Sequence, residues 1–230
     1  MSLQSHSYER CRAFIDSNFV QPQPESPRAP LALTISREAY SGCHEIAEEL
    51  IRLLQKDKRL GEHSWALFDR DLVHKVLEDH HLPKAMAKYM PEDRDHNFTG
   101  LINEILGLHP SQWELFHHTC DSILKLANIG NVIVIGRGAH IITRHLRHVV
   151  HVRVICPLEK RASRASLRMD ISYEEALKTI KLDDAARAAF VKSHFDEAVN
   201  DPMAYHLILN TGKLDHLEAA QILYQTLRTR

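Results

Sequence analysis

Residues 31–50 read Leu31-Ala-Leu-Thr-Ile-Ser-Arg-Glu-Ala-Tyr-Ser-Gly-Cys-His-Glu-Ile-Ala-Glu-Glu-Leu50. The first five are apolar or β-branched, and with Ser36 they make a run too short for a stable helix, which predicts a strand. Ile46, Ala47 and Leu50 recur at helical spacing, which predicts a helix from residue 43. Between them lies a short polar loop, Arg37 to His44. A strand that turns directly into a helix N-terminus holds phosphate, because unpaired backbone N–H groups and the helix dipole converge on one spot. The loop carries one glycine, Gly42, and no lysine.

Outward from this stretch, short apolar runs alternate with helical patterns. The runs are 31–36, 65–69, 132–136, 150–155 and 207–210; Val132-Ile-Val-Ile135 is continuously apolar and β-branched, as in a strand covered on both faces. Helical patterns cover 43–57, 70–80, pieces of 84–129, 137–146, 157–169, 172–195 and 213–228. Ser172 and Glu175 have the spacing of a capping box. This alternation predicts an α/β fold with a parallel sheet and helices on both faces. The wholly helical region 84–129 interrupts it as an insertion. Upstream, residues 5–19 read as a short amphipathic helix, and Pro22, Pro24, Pro27 and Pro30 make the following stretch an extended linker. The division is therefore 1–30, an N-terminal helix and linker able to serve as a dimer arm, and 31–230, the main domain.

Composition narrows the class of partner. Apolar content is 44% and charged content 26%, as in a soluble globular protein. With 29 basic and 30 acidic residues the formal charge is -1, so no global field recruits nucleic acid or a membrane surface. No apolar run approaches the ~18 residues of a membrane span, and no apolar signal segment follows the N-terminal methionine. The cysteines, Cys11, Cys43, Cys120 and Cys156, form no CxxC pair, which disfavours a zinc ribbon and fits free thiols in the cytoplasm. The 17 histidines are read as mostly solvated, including the run His140, His145, His148 and His151, which has no accompanying carboxylate pattern. His44-Glu45 opens like a zinc-protease motif, but Glu48 stands where the second histidine should be. Cys43, at a predicted helix N-terminus, is a candidate low-pKa thiol.

In parallel α/β sheets, ligands bind beyond the carboxyl ends of the strands. Those ends carry Ser36-Arg37-Glu38, Asp69-Arg70-Asp71 and Gly136-Arg137-Gly138. The next helices carry Arg161, Arg164 and Arg168, then Lys181, Asp184 and Arg187. Guanidinium forks converging beside a helix N-terminus suit a polyphosphate ligand. Phosphoryl transfer needs chiefly positioning and charge neutralisation, which such groups and a magnesium ion provide.

On these residues the chain resembles the cytidylate kinase-like family. The matching pieces are Thr34-Ile-Ser-Arg-Glu38, Ser41-Gly42, Glu45-Ile-Ala47, Phe68-Asp-Arg70, Val134-Ile-Gly-Arg-Gly138 and Pro157-Leu-Glu-Lys-Arg161. Asp184-Ala-Ala-Arg187, Asp201-Pro202, Tyr205 and Leu207-Ile-Leu-Asn-Thr211 continue the match. The resemblance implies a three-layer α/β/α P-loop kinase fold on a five-stranded parallel sheet, with an acceptor-side insertion at 84–129 and a lid at about 157–195. It implies transfer of the ATP γ-phosphate, with Mg2+, to a nucleoside monophosphate, CMP or dCMP above all. Arg37, Ser41, Gly42, Cys43, His44 and Glu45 would then wrap the donor phosphates. Asp69 and Arg70 would lie near the acceptor nucleotide, and Arg137 on its phosphate. Arg161 and Arg164 would flank the donor, and Asp184 and Arg187 would belong to the lid; with Arg137 these form the implied catalytic set. No protein-borne metal site is implied.

The chain departs from the family pattern at three loop positions. Tyr40 and Cys43 replace glycines, and His44 replaces the basic residue that stands for the P-loop lysine. A side chain is costly at 40 or 43 wherever φ is positive or the backbone must touch phosphate. An ordinary histidine carries charge only part of the time near pH 7. Glu45 stands where a standard P-loop has a Ser/Thr on magnesium, and His206 replaces a family aspartate. A kinase and a nucleotide-binding protein without turnover are the two readings these residues leave open.

Overall fold

A computed structural model describes residues 30–57, 59–60, 64–69 and 112–230. The predicted helix at 5–19, the linker before Pro30, the helix at 70–80 and the 84–111 part of the insertion lie outside these residues, as does Arg70.

Five strands form one sheet: β1 (Ala32–Arg37), β2 (Ala66–Phe68), β3 (Val132–Ile135), β4 (Val149–Ile155) and β5 (Leu207–Asn210). All pair in parallel, in the order β2-β3-β1-β4-β5, so β1 is central. The described helices are α1 (Cys43–Lys56), α2 (Gln112–Ile129), α3 (Ala139–Ile142), α4 (Leu158–Met169), α5 (Tyr173–Phe195) and α6 (His216–Arg228), with a 3-10 turn at Pro202–Ala204.

Strand alternation sorts the core into two layers. Leu33, Ile35, Ile133, Ile135, Val150, Val152 and Val154 face α1 and α6, meeting Ile46, Leu50, Leu54, Ala220 and Leu223. Ala32, Val132, Val134 and Val149 face the other way, onto Ile123, Leu126 and Ala127 of α2. The sheet is thus covered on both faces, as its continuously apolar strands require. α1 follows β1 on one face, while Ala139 of α3 follows β3 on the other. Where successive connections diverge in this way, a crevice opens at the carboxyl ends of the two strands.

The capping box of α5 is present: Ser172 Oγ accepts from Glu175 N–H, and Glu175 accepts from Ser172 N–H. The helix expected over 137–146 is shorter. Gly136, Arg137 and Gly138 all have positive φ (83, 57 and 66°), which forbids helix there. At the other end Thr143 turns its hydroxyl back to Ala139 O at 2.7 Å and the helix stops.

Candidate active site

The loop after β1 is held open from outside. Ala39 N–H donates to Asp184 Oδ1 at 2.8 Å, and Arg161 Nη1 donates to Ala39 O at 3.2 Å. Arg164 Nη1 donates to Ser41 O at 3.2 Å, and the Thr211 hydroxyl donates to the same oxygen at 2.7 Å. Loop carbonyls therefore face outward onto cations and a hydroxyl. Gly42, at φ 87°, turns the chain into α1, and no side chain caps that helix. Its first N–H groups are left without a side-chain partner, the arrangement that suits an anion in strand–loop–helix geometry. Tyr40 sits at φ 57°, the left-handed region where a bulky residue is uncommon. The glycine it replaces would suit that backbone, whereas Cys43 lies in regular helix and is buried.

His44 is corrected by the structure. Its Nε2 lies 3.4 Å from Asp69 Oδ2 at the end of β2, and its Nδ1 3.5 Å from Cys43 Sγ. The Asp69 carboxylate first, then the Cys43 sulfur, push the imidazole pKa up to about 10 against the opposing effect of burial. The expectation of a partly charged histidine fails: folding supplies a carboxylate from another strand, and His44 is a cation across the neutral range. Its side chain is 41% exposed, so solvent screens the pair and its effect lies in charge more than in stability. Burial opposes ionisation of Cys43, yet the hydrogen bond and charge of His44, with Arg37, bring its thiol below the ordinary value. Asp69, expected near the acceptor, thus reaches the start of α1.

A second cluster occupies the crevice between β1 and β3. A pocket of about 290 Å³, including its open mouth, is lined by Ser36, Arg37, Arg137, His140 and Arg187, with Gly136, Gly138, Val191 and Val199 completing the wall. Among the described residues, three guanidinium groups line it and no carboxylate does. A Cβ at Gly136 would collide with the Arg37 guanidinium, and one at Gly138 with the Phe195 ring. These two glycines let Arg37 cross the strand end while Arg137, only 1% exposed, turns inward. Arg187 Nε and Nη1 are buried without a hydrogen-bond partner, and Nη1 is 3.5 Å from Asp184 Oδ1. Such buried donors are what an anion would satisfy.

Arg161, Arg164 and Asp184 are placed as struts. Arg161, 6% exposed, donates to Cys156 O at 2.8 Å and to Asp184 Oδ2 at 2.6 Å, with Glu38 Oε2 at 3.5 Å. Arg164 spans from the loop to Thr211 O at 3.3 Å. Ala39 and Tyr40 complete this joint by packing on Ala162, Ala165, Ala176 and Ile180 of the α4–α5 hairpin. Glu45 and Arg168 meet at 3.3 Å on the surface. Ser41 is buried within the loop.

Sequence reading missed the floor of the pocket. Arg153 Nη1 donates to Ser36 Oγ at 2.9 Å, its guanidinium lies 5.9 Å from the Tyr205 ring centre, and Tyr205 stacks on His140 at 4.7 Å. His140 and His151 are each 5% exposed, so the solvated reading of that histidine run fails for both. Strand alternation could have found His151, which shares a face with Val149 and Arg153; nothing local marks His140. His145 is exposed, and His148 Nε2 is 3.0 Å from Ala127 O. Among the described residues no group of three His, Cys, Asp or Glu is placed to hold a metal ion.

A central parallel sheet in this order, with a phosphate-type loop after β1, defines the P-loop kinase fold. A profile of the cytidylate kinase-like family matches residues 32–213, and the chain belongs to that family. Among solved structures it is similar to an uncharacterized protein from Eubacterium ventriosum, at 17% identity and TM-score 0.64, covering 87% of this chain and 99% of that one. It also matches a shikimate kinase from Bacteroides thetaiotaomicron, at 14% identity and TM-score 0.48 over 86% and 98% of the two chains. A gluconokinase from Sinorhizobium meliloti matches at 10% identity and TM-score 0.43, over 88% and 98%. No curated protein matches the sequence. Among the described residues, no helix is long and apolar enough to cross a membrane.

Proposed function

We propose that this protein transfers the γ-phosphate of ATP to a small anionic acceptor, a nucleoside monophosphate with CMP or dCMP foremost. The observation that carries this reading is the pairing of two anion sites on one sheet edge. One is the uncapped N-terminus of α1 beside the His44 cation. The other is the pocket where the Arg37, Arg137 and Arg187 guanidinium groups gather. A donor phosphate chain fits the first and an acceptor phosphate the second, with the Arg137 loop between them.

The residues fit the nucleotide. His44 would stand in for the missing lysine, and the α1 N–H groups would hold phosphate oxygens. Magnesium would arrive on the nucleotide and neutralise developing charge; Glu45, where a standard loop carries its magnesium-side hydroxyl, would face it. Arg137 and Arg187 would hold the acceptor phosphate and shed no proton in doing so. Arg161, Arg164 and Asp184 would keep the loop shaped for the donor without touching it.

Purified protein with ATP, magnesium chloride and a panel of CMP, dCMP, UMP and small hydroxy acids should release ADP above background with at least one acceptor. Background release across the whole panel, together with nucleotide-dependent thermal stabilisation, would instead establish the second reading, binding without turnover. Tyr40 favours that alternative, since its side chain occupies a left-handed position where the family carries glycine.

A further inference from the structure

The buried floor of the arginine pocket defines a tautomer. Tyr205 Oη lies 2.7 Å from Val199 O and 3.1 Å from His140 Nε2. A carbonyl only accepts, so the phenolic proton goes to Val199 and His140 Nε2 must donate to Tyr205. The imidazole therefore carries its proton on Nε2 and a lone pair on Nδ1. Nδ1 makes no hydrogen bond with any described residue, while the ring, 5% exposed, lines the pocket beside Arg37, Arg137 and Arg187. Protonation at Nδ1 is opposed by burial first, then by His151, Arg153 and Arg144, which together bring the pKa down to about 3. Among three permanent cations the pocket thus presents one neutral acceptor.

We propose that His140 selects the ligand: its Nδ1 accepts a hydrogen bond from an O–H of the bound anion, so the pocket prefers an oxyanion bearing a proton or hydroxyl over one bearing neither. This rests on the pocket being an anion site. The guanidinium groups satisfy anionic oxygens, and any oxyanion would do for them. A lone pair facing a fully deprotonated oxygen, however, is left unsatisfied and repelled. An unsatisfied buried group costs enough for roughly a ten-fold loss of affinity or more.

Inorganic phosphate and sulfate test this, because they match in size and shape but only phosphate carries protons near pH 6. Calorimetric titration of the full chain at fixed ionic strength should give phosphate binding at least about ten-fold tighter than sulfate at pH 6. The preference should persist at pH 8, where hydrogenphosphate matches sulfate in charge but still bears one O–H. His140→Asn keeps an acceptor at the Nδ1 position and should keep the preference; His140→Leu should abolish it. Equal binding of the two anions by the wild type overturns the role of His140 while leaving the anion pocket standing. Failure of both anions to bind overturns the pocket itself. The wild-type comparison of the two anions decides the matter even if His140→Leu does not fold.

Discussion

His44 is the residue proposed to meet the donor phosphates, and Asp69, 25 residues further on, is what keeps it charged. Its folded pKa is raised, so its charge is present below that value and lost only as pH rises toward about 10. Wild-type affinity for magnesium ATP should accordingly be level from pH 6 to 8.5. In Asp69→Asn the imidazole returns toward its ordinary pKa of about 6.5. Affinity should then drop roughly ten-fold between pH 6 and pH 8, the worth of one charge-assisted hydrogen bond. A level profile in Asp69→Asn would remove His44 from donor binding. At the same scale Arg137 has no conservative replacement. It sits at φ 57° and is fully enclosed, so Arg137→Lys should lose acceptor binding while the melting temperature shifts little. The sequence names these residues as candidates, but the partner of His44 lies on another strand, so its charge state was not legible there.

The α4–α5 hairpin is tied to the loop after β1 by three bonds to loop backbone, from Ala39 N–H to Asp184, from Arg161 to Ala39 O and from Arg164 to Ser41 O, and by the Arg161–Glu38 ion pair. Arg161 serves Ala39, Cys156 and Asp184 at once, so its removal leaves the partly buried Asp184 with less charge compensation. Arg161→Ala should cost roughly 3 kcal/mol in urea unfolding. It should also weaken nucleotide binding, because the Ala39–Ser41 backbone loses a strut. Ser172→Ala is the contrasting change: it removes the α5 capping box while leaving the Arg161 and Arg164 bonds to the loop in place, and should cost about 1 kcal/mol with nucleotide affinity unaltered. Loss of affinity equal in the two variants would mean that the hairpin responds to global stability alone. The element pattern was readable from 3.6- and 2-residue periods, and the capping box from its spacing. The role of Arg161 was not. Arginines three and four apart on a helix look alike in sequence, whether they meet a ligand or a carbonyl.

Across the whole molecule, two histidines are buried among the described residues, His140 in the pocket wall and His151 in β4. Thr34 Oγ1 bonds His151 Nδ1 at 2.9 Å, and His151 N–H donates to His206 Nδ1 at 2.9 Å. Burial, then neighbouring charge, lowers His140 to about 3 and His151 to about 4, and burial also lowers His206. The unfolded chain takes up these protons near pH 6.5, the folded chain only well below it. Stability therefore falls as pH drops from about 6.5 toward 4, on the order of several kcal/mol in all. Urea midpoints at pH 7.5 and pH 5 measure this, and an unchanged midpoint at pH 5 would contradict it. Local sequence settled the order of strands and helices, the two-faced burial of the sheet and the loop that turns into α1, because side-chain periodicity and backbone preference act over a few residues. The strand order β2-β3-β1-β4-β5 was decided only in three dimensions, and with it the meeting of Arg37 and Arg137, of His44 and Asp69, and of His140 and Tyr205. Those pairs are distant in the chain, and whether a side chain is charged, buried or free to bind depends on the groups that packing brings beside it.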